Sequence, residues 1–172
     1  RDSVPYRETY GIEGVSTMYR GTLRNIGWCD TLNTITNLGF LDETSRDVTG
    51  KSYAQFMRDL LPDNAPNTSD IKADTATALD LPYDSKIISD LDWLGMFDDR
   101  SIDAEQSSIS PLDLLTRQML DRMKYAKDER DLIVLVHHFD ASYPDGRREH
   151  IISTLIAFGE PNGDSAMART VS

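Results

Sequence analysis

Four arginines, Arg1, Arg7, Arg20 and Arg24, fall within residues 1–39, where they are matched by Asp2, Glu8, Glu13 and Asp30. The rest of the chain is acidic, and the 172 residues together hold 18 Lys plus Arg against 29 Asp plus Glu, a formal charge of −11. Arginines standing out on an acidic background are candidates for an anion site. A planar guanidinium presents paired donors that fork onto two carboxylate oxygens, which a lysine ammonium does not match. Val15 to Leu23 (VSTMYRGTL) is rich in β-branched and aromatic residues and predicts a strand. If that strand continues, Arg20 and Arg24 share one of its faces, because side chains alternate with a period of two. The plainer reading is that both arginines pair with acids or lie on the surface, where single ion pairs contribute little.

Other residues of chemical interest point to structure. His137 and His138 are adjacent, so on a strand they face opposite ways and cannot share one ion, and no third ligand has suitable spacing. Asp90-x-Asp92-x-x-Gly95 has the outline of a calcium loop, but Leu94 stands where a third oxygen ligand is needed and the segment reads as helix. Asn67-Thr68-Ser69 fits a glycosylation sequon, with nothing to imply secretion. Cys29, the only cysteine, is expected to be a small packing residue in a helix, and a lone thiol makes a reducing cytoplasm the expected location. The acidic charge argues against nucleic-acid and anionic-membrane partners, which need a basic face. No apolar run reaches the roughly 20 residues of a membrane span, and no signal-peptide pattern opens the sequence. Neither G-x-G-x-x-G nor G-x-x-x-x-G-K-[ST] occurs, so a nucleotide, if the chemistry uses one, would have its main loop elsewhere, and the chain reads as part of a larger protein.

The positioning elements follow from periodicity. Trp28, Leu32, Ile35 and Leu38 recur at helical spacing before Gly39. Short helices are expected over 52–61, closed by Pro62, over 69–79, and over 84–94 with Ile87, Ile88, Leu91 and Leu94 on one side. Ser110 reads as an N-cap with Pro111 at the first helical position, followed by a stripe of Leu112, Leu115, Met119, Leu120 and Met123. Leu132 to Phe139 (LIVLVHHF) is a nearly continuous apolar run, expected of a strand buried on both faces. Tyr143-Pro144-Asp145-Gly146 is a turn signal, and 150–158 a second strand, so the pair predicts a hairpin. The final SAMARTVS reads as the start of a helix. The fold class is α/β (α+β): part of a mixed β-sheet domain flanked by helices, with an all-helical insert. The expected divisions are 1–39 and 128–172 for the sheet domain and 40–127 for the insert.

Arg20-Gly21-Thr22-Leu23-Arg24 followed by Gly27-Trp28 resembles the R-G-T-L-R signature of saccharopine dehydrogenases (saccharopine reductases). Arg1-Asp2-Ser3 is similar to the end of the N-R-D-S motif that precedes it, and Trp93-Leu94-Gly95 to its W-L-G. Glu129-Arg130-Asp131 looks like its E-[RK]-D-M, while Ser153-Thr154-Leu155 with Gly159 and then Ser165 to Val171 resemble its later hairpin and return. These blocks stand in family order over nearly the whole chain. Two positions depart from the pattern: Asn25 stands where Tyr is usual, and Ser172 where Gly is usual.

The resemblance implies the later part of a substrate-binding sheet domain with a helical insert and a dimer interface, the Rossmann domain lying upstream. It implies an NAD(P)-dependent enzyme of lysine metabolism interconverting saccharopine with aminoadipate semialdehyde plus glutamate. Saccharopine carries three carboxylates, and the resemblance assigns their recognition to Arg1, Arg20, Gly21, Thr22 and Arg24: guanidinium forks, a glycine that lets the ligand reach the backbone, and a hydroxyl donor. Homodimerisation is implied as well, with NADP or NAD held mainly by the absent domain. The catalytic acid and base are expected upstream, so no catalytic, cofactor-binding or metal residue is assigned to this chain, and the excised chain is expected to be inactive. A related opine- or polyamine-pathway dehydrogenase and a non-catalytic acidic interaction module are the alternative readings.

Overall fold

The structure, a computed structural model, describes residues 5–103, 107–161 and 163–171. It divides into two compact units, one running to Gln118 and the other beginning at Met119. Arg1, one of the expected ligand-binding residues, lies outside the described residues.

The first unit is helical. It contains α1 (Tyr6–Thr9), α2 (Trp28–Asn37), β1 (Arg46–Asp47), α3 (Tyr53–Leu60), α4 (Ile71–Ala78), α5 (Lys86–Trp93) and β2 (Ser108–Ile109), and α6 (Pro111–Arg122) runs across its boundary. The starts of these helices are written in their caps. Ser52 accepts from the Gln55 amide while the Gln55 side chain accepts from the Ser52 amide, a reciprocal box that satisfies two orphan donors. Asp70, Ser85 and Ser110 accept in the same way from the amides of Ala73, Ile88 and Asp113. Each such cap contributes about 1 kcal/mol.

The ends are equally local. Gly39 and Gly95 adopt φ of 86° and 82°, and the amides that follow, of Phe40 and Met96, return to the carbonyls of Ile35 and Leu91. This left-handed closure turns Phe40 and Met96 back into the core. The Trp93-Leu94-Gly95 block is therefore the C-terminal stop of α5. Helix α5 packs on α2 and α4, and α4 on α3. Their shared interior holds Ile35, Phe40, Phe56, Met57, Ile88, Leu91 and Leu114. Asp74 is buried within this unit, accepting from the Thr68 amide and hydroxyl and from Arg58, each at 2.8 Å.

The face of α6 differs from the expected one. Its buried residues are Pro111, Leu114, Leu115 and Gln118, whereas Leu120 is 68% exposed. The spacing is a proper i, i+3, i+4, i+7 stripe, but it passes through a glutamine. The Gln118 amide donates to the Leu94 carbonyl at 3.0 Å and accepts from Arg100 at 3.0 Å, which removes the penalty for burying it. Cys29 also departs from expectation: it is exposed, on the outer side of α2.

The second unit is built on a long hairpin, β3 (Leu132–Ser142) and β4 (Arg148–Phe158), paired antiparallel from Leu132↔Phe158 to Ser142↔Arg148. Gly146, at φ 85°, makes the expected turn. After Phe158 the chain returns into α7 (Ala166–Val171), whose first amides, of Ala166 and Met167, donate to the Asp131 carboxylate at 2.8 and 3.4 Å. Gly159 is required beside it: a Cβ there would collide with the Asp131 Oδ1 atom.

Two expectations for strands fail. The 15–23 segment forms no strand, because a ladder needs a second chain segment and the described residues supply none. The 132–139 run does form a strand but is not buried. Both faces of the ribbon are open, with Val134 at 51% and Phe139 at 52% exposure on opposite sides, and neither outer edge has a ladder partner among the described residues.

Candidate functional site

The expected ligand-binding residues occupy 20–24, between α1 and α2, in irregular backbone. Arg20 is exposed and held from one side by α1: its guanidinium donates to the Tyr6 hydroxyl at 3.4 Å and lies over the Tyr6 ring, 5.8 Å from the centroid. Tyr6 in turn stacks on Tyr10 at 6.1 Å. Arg24 donates to the carbonyl of Leu23 at 3.1 Å and is otherwise open. Among the described residues neither guanidinium meets a carboxylate, and both lie on the surface, which is the second half of the plainer reading. Both keep donor capacity for an external anion. Thr22 is exposed. A Cβ on Gly21 would come within 2.8 Å of the Tyr19 hydroxyl, so this glycine lets the Tyr19 ring fold against the backbone.

The surrounding pattern has a second property. Tyr19 and Leu23 are 89% and 95% exposed, and they alternate with Arg20, Thr22 and Arg24. Apolar and polar positions thus keep the period of two that a half-buried strand requires, without a sheet to bury them. A depression of about 490 Å³ lies in the second unit and is lined by Arg130, residues 155–161, Arg169 and Thr170. Arg130 and Arg169 were legible only as parts of motifs.

The histidines form one further arrangement. His137 meets Phe139 edge-on at 6.0 Å. His138 Nδ1 lies 3.2 Å from His150 Nε2, and His150 Nδ1 lies 2.7 Å from an Asp140 carboxylate oxygen. The diagonal His138–His150 contact across the hairpin was not foreseen from the adjacency of His137 and His138. Among the described residues no three potential ligands converge as a metal centre. In the first unit, Lys72 is held in its charged form: its hydrogen bond to Asp92 raises its pKa against the effect of burial. That pair ties α4 to α5 and presents nothing to a ligand.

Comparison with known proteins places this arrangement. The saccharopine dehydrogenase C-terminal domain family matches residues 1–172. A saccharopine dehydrogenase (NADP+, L-glutamate-forming) from Schizosaccharomyces pombe is 33% identical over 184 residues, covering 99% of this chain and 39% of that protein. A mitochondrial alpha-aminoadipic semialdehyde synthase from Bos taurus is 30% identical over 176 residues, covering 99% of this chain and 19% of that protein. Among solved structures, the apo saccharopine dehydrogenase (L-Glu forming) from Saccharomyces cerevisiae superposes with a TM-score of 0.80 at 30% identity, over 99% of this chain and 39% of that one. The fold thus matches an α/β portion of that solved structure. The chain belongs to the saccharopine dehydrogenase C-terminal domain family, and it spans well under half the length of these relatives.

Proposed function

We propose that the chain is the substrate-binding and dimerisation part of an NAD(P)-dependent saccharopine dehydrogenase (L-glutamate-forming), acting in lysine metabolism on saccharopine, or on glutamate plus aminoadipate semialdehyde. The observation that carries this reading is the pair of guanidinium groups on Arg20 and Arg24, flanking Gly21-Thr22 and free of carboxylates among the described residues. Uncompensated arginines in a chain of net charge −11 favour an anionic ligand. A tricarboxylic amino acid offers several carboxylates for such forks.

In this proposal Arg20 is set in place by Tyr6, Arg24 supplies the second fork, and the Thr22 hydroxyl donates to the same ligand. Arg1 completes the set. The alternating pattern of 19–24 becomes a strand once the sheet is complete, which brings the two arginines onto one face. The sheet domain takes 1–39 and 128–172, with 40–127 as a helical insert. The half-exposed apolar faces of β3 and β4 support burial against further protein, including the second subunit of a homodimer.

NADP or NAD, bound by the rest of the protein, would accept the hydride from the carbon bearing the substrate's secondary amine or, when reduced, would donate it to the corresponding imine. The work of this chain is to orient the carboxylates around that amine. No acid or base for proton transfer is assigned to it. No helix among the described residues is long and apolar enough to cross a membrane, and the exposed thiol of Cys29 suits a reducing cytoplasm.

The test is steady-state kinetics of the full-length protein. Arg24→Ala is expected to raise KM for saccharopine by about an order of magnitude or more, with a smaller change in kcat, because it removes binding made equally in ground and transition states. Unchanged saccharopine affinity overturns the site assignment. The 172-residue chain alone is expected to show no turnover.

A further inference from the structure

The histidines of the hairpin take no part in the proposed binding of saccharopine. Register puts Val134↔Ile156, Val136↔Thr154, His138↔Ile152, Asp140↔His150 and Ser142↔Arg148 on one face of the β3–β4 ribbon. Val134 and Ile156 stand in the half of that face away from the turn, and His138, Asp140 and His150 cluster in the half toward it. His137 belongs to the opposite face, where it meets Phe139 edge-on.

The cluster is built in layers. His150 Nδ1 lies 2.7 Å from an Asp140 carboxylate oxygen, which as an ion only accepts, so this nitrogen carries the hydrogen. His150 Nε2 is then left with its lone pair, and it faces His138 Nδ1 at 3.2 Å. A carboxylate that fixes a histidine's tautomer from behind is the usual support of a metal-ligating imidazole. The separation of the two nitrogens also selects a geometry. Zn–N bonds of about 2.0–2.1 Å at a tetrahedral angle set two ligating nitrogens about 3.3 Å apart. Adjacent ligands of a square-planar ion would stand about 2.8 Å apart. The two rings are tilted by 43°, and His138 is exposed, so its ring can turn to aim Nδ1 at the point that His150 Nε2 faces, its proton passing to Nε2. Arg148 shares this face, and the Asp140 carboxylate offsets its charge.

We propose that His138 and His150 form a two-point site for a zinc ion, with Asp140 holding His150 from behind and water completing the tetrahedron. Imidazole ligands suit zinc, whereas magnesium prefers an all-oxygen shell. The site uses no residue of the Arg20–Arg24 segment and stands independently of it.

The experiment is site-resolved histidine labelling of the full-length protein with diethylpyrocarbonate near neutral pH, read by peptide fragmentation in a mass spectrometer, with zinc as the probe and magnesium as the comparison. At about ten times its Kd, zinc is expected to slow labelling of His138 and His150 together by about tenfold and to leave the adjacent His137 unchanged. Magnesium at the same concentration should protect neither. His138→Ala should abolish the protection of His150, and Asp140→Asn should raise the zinc concentration needed by about tenfold or more, through the lost support of His150. Four results overturn the proposal: no protection of the pair by zinc, protection of His137 to the same degree, equal protection by magnesium, or a His138 or His150 that is inert before any metal is added, which would mean that protein already covers it. The wild-type measurement is decisive alone, so a poorly folding variant does not rescue the idea.

Discussion

Replacing Gln118 by Leu tests whether a buried amide, rather than an apolar stripe, fastens α6 to the helical unit. In the native protein the Gln118 side chain is 2% exposed and bonded at both ends. Its amide donates to the carbonyl of Leu94 at 3.0 Å, with Gly95 at 3.4 Å, and its oxygen accepts from Arg100 at 3.0 Å. Leucine fills nearly the same space but can do neither. The Leu94 carbonyl, at the closure of α5, then loses a buried donor, which costs about 1–3 kcal/mol. Arg100 loses an acceptor but remains over the Tyr53 ring at 5.0 Å, so its share is about 1 kcal/mol. The sum is about 3 kcal/mol, which in a unit of this size lowers the thermal midpoint by about 10 °C. Urea denaturation followed by circular dichroism should show an earlier midpoint with an unchanged slope. Gln118→Glu keeps the acceptor for Arg100 and loses the donor to Leu94, so it should also destabilise. If Gln118→Leu unfolds at the wild-type midpoint, the amide is incidental and α6 is held by Leu114 and Leu115 alone.

The remaining expectations are simpler. Asp131→Ala should uncap α7 and cost about 1 kcal/mol, seen as faster hydrogen exchange at the amides of Ala166 and Met167. Gly159→Ala, which pushes a methyl into the Asp131 carboxylate, should produce the same exchange signature. Burial alone would raise the pKa of Asp74, but hydrogen bonds from Thr68 and Arg58 outweigh it and hold the carboxyl below its ordinary value. Its contribution to stability is therefore complete above the unfolded-state pKa of about 4 and is lost as pH falls through the lower folded value. Thermal unfolding of the helical unit should steepen in its decline below about pH 4, and Asp74→Asn should flatten that decline while lowering stability near neutrality. An identical pH profile for the two proteins would remove Asp74 from this role.

What the sequence discloses and what it hides divides along physical lines. The helices over 28–38, 52–61, 69–79 and 84–94 were legible because their signals are local: Ser52, Asp70 and Ser85 cap them, and Gly39 and Gly95 end them. The β3–β4 hairpin was legible for the same reason, its turn residues lying between two apolar runs. Burial was not legible, because it belongs to partners distant in the chain. An apolar run cannot announce whether anything covers it, so 132–139 reads as core and emerges as an open ribbon. The polar Gln118 inside the buried face of α6 is the converse case, since only its partners at Leu94 and Arg100 explain it. The candidate site was legible as a motif and not as geometry: the types and order of Arg20, Gly21, Thr22 and Arg24 stand out, whereas the Tyr6 contact that steadies Arg20 has no sequence signal. The short β1–β2 ribbon, two residues a side, is below any periodic signal.

The open ribbon has a practical consequence for anyone handling the protein in pieces. Stretches such as Leu132–Val136 and Ile151–Ile156 combine β-branched side chains, no proline and free backbone edges, the traits that nucleate cross-β stacking. The charged residues that discourage such stacking gather at the two ends, Asp140, Arg147, Arg148 and Glu149 at the turn and Glu129, Arg130, Asp131 and Glu160 opposite it, and leave the middle of both strands unguarded. A fragment carrying this hairpin is therefore expected to precipitate through residues 133–136 and 151–157, and a single lysine placed at Val134 should do more for its solubility than any change near the turn.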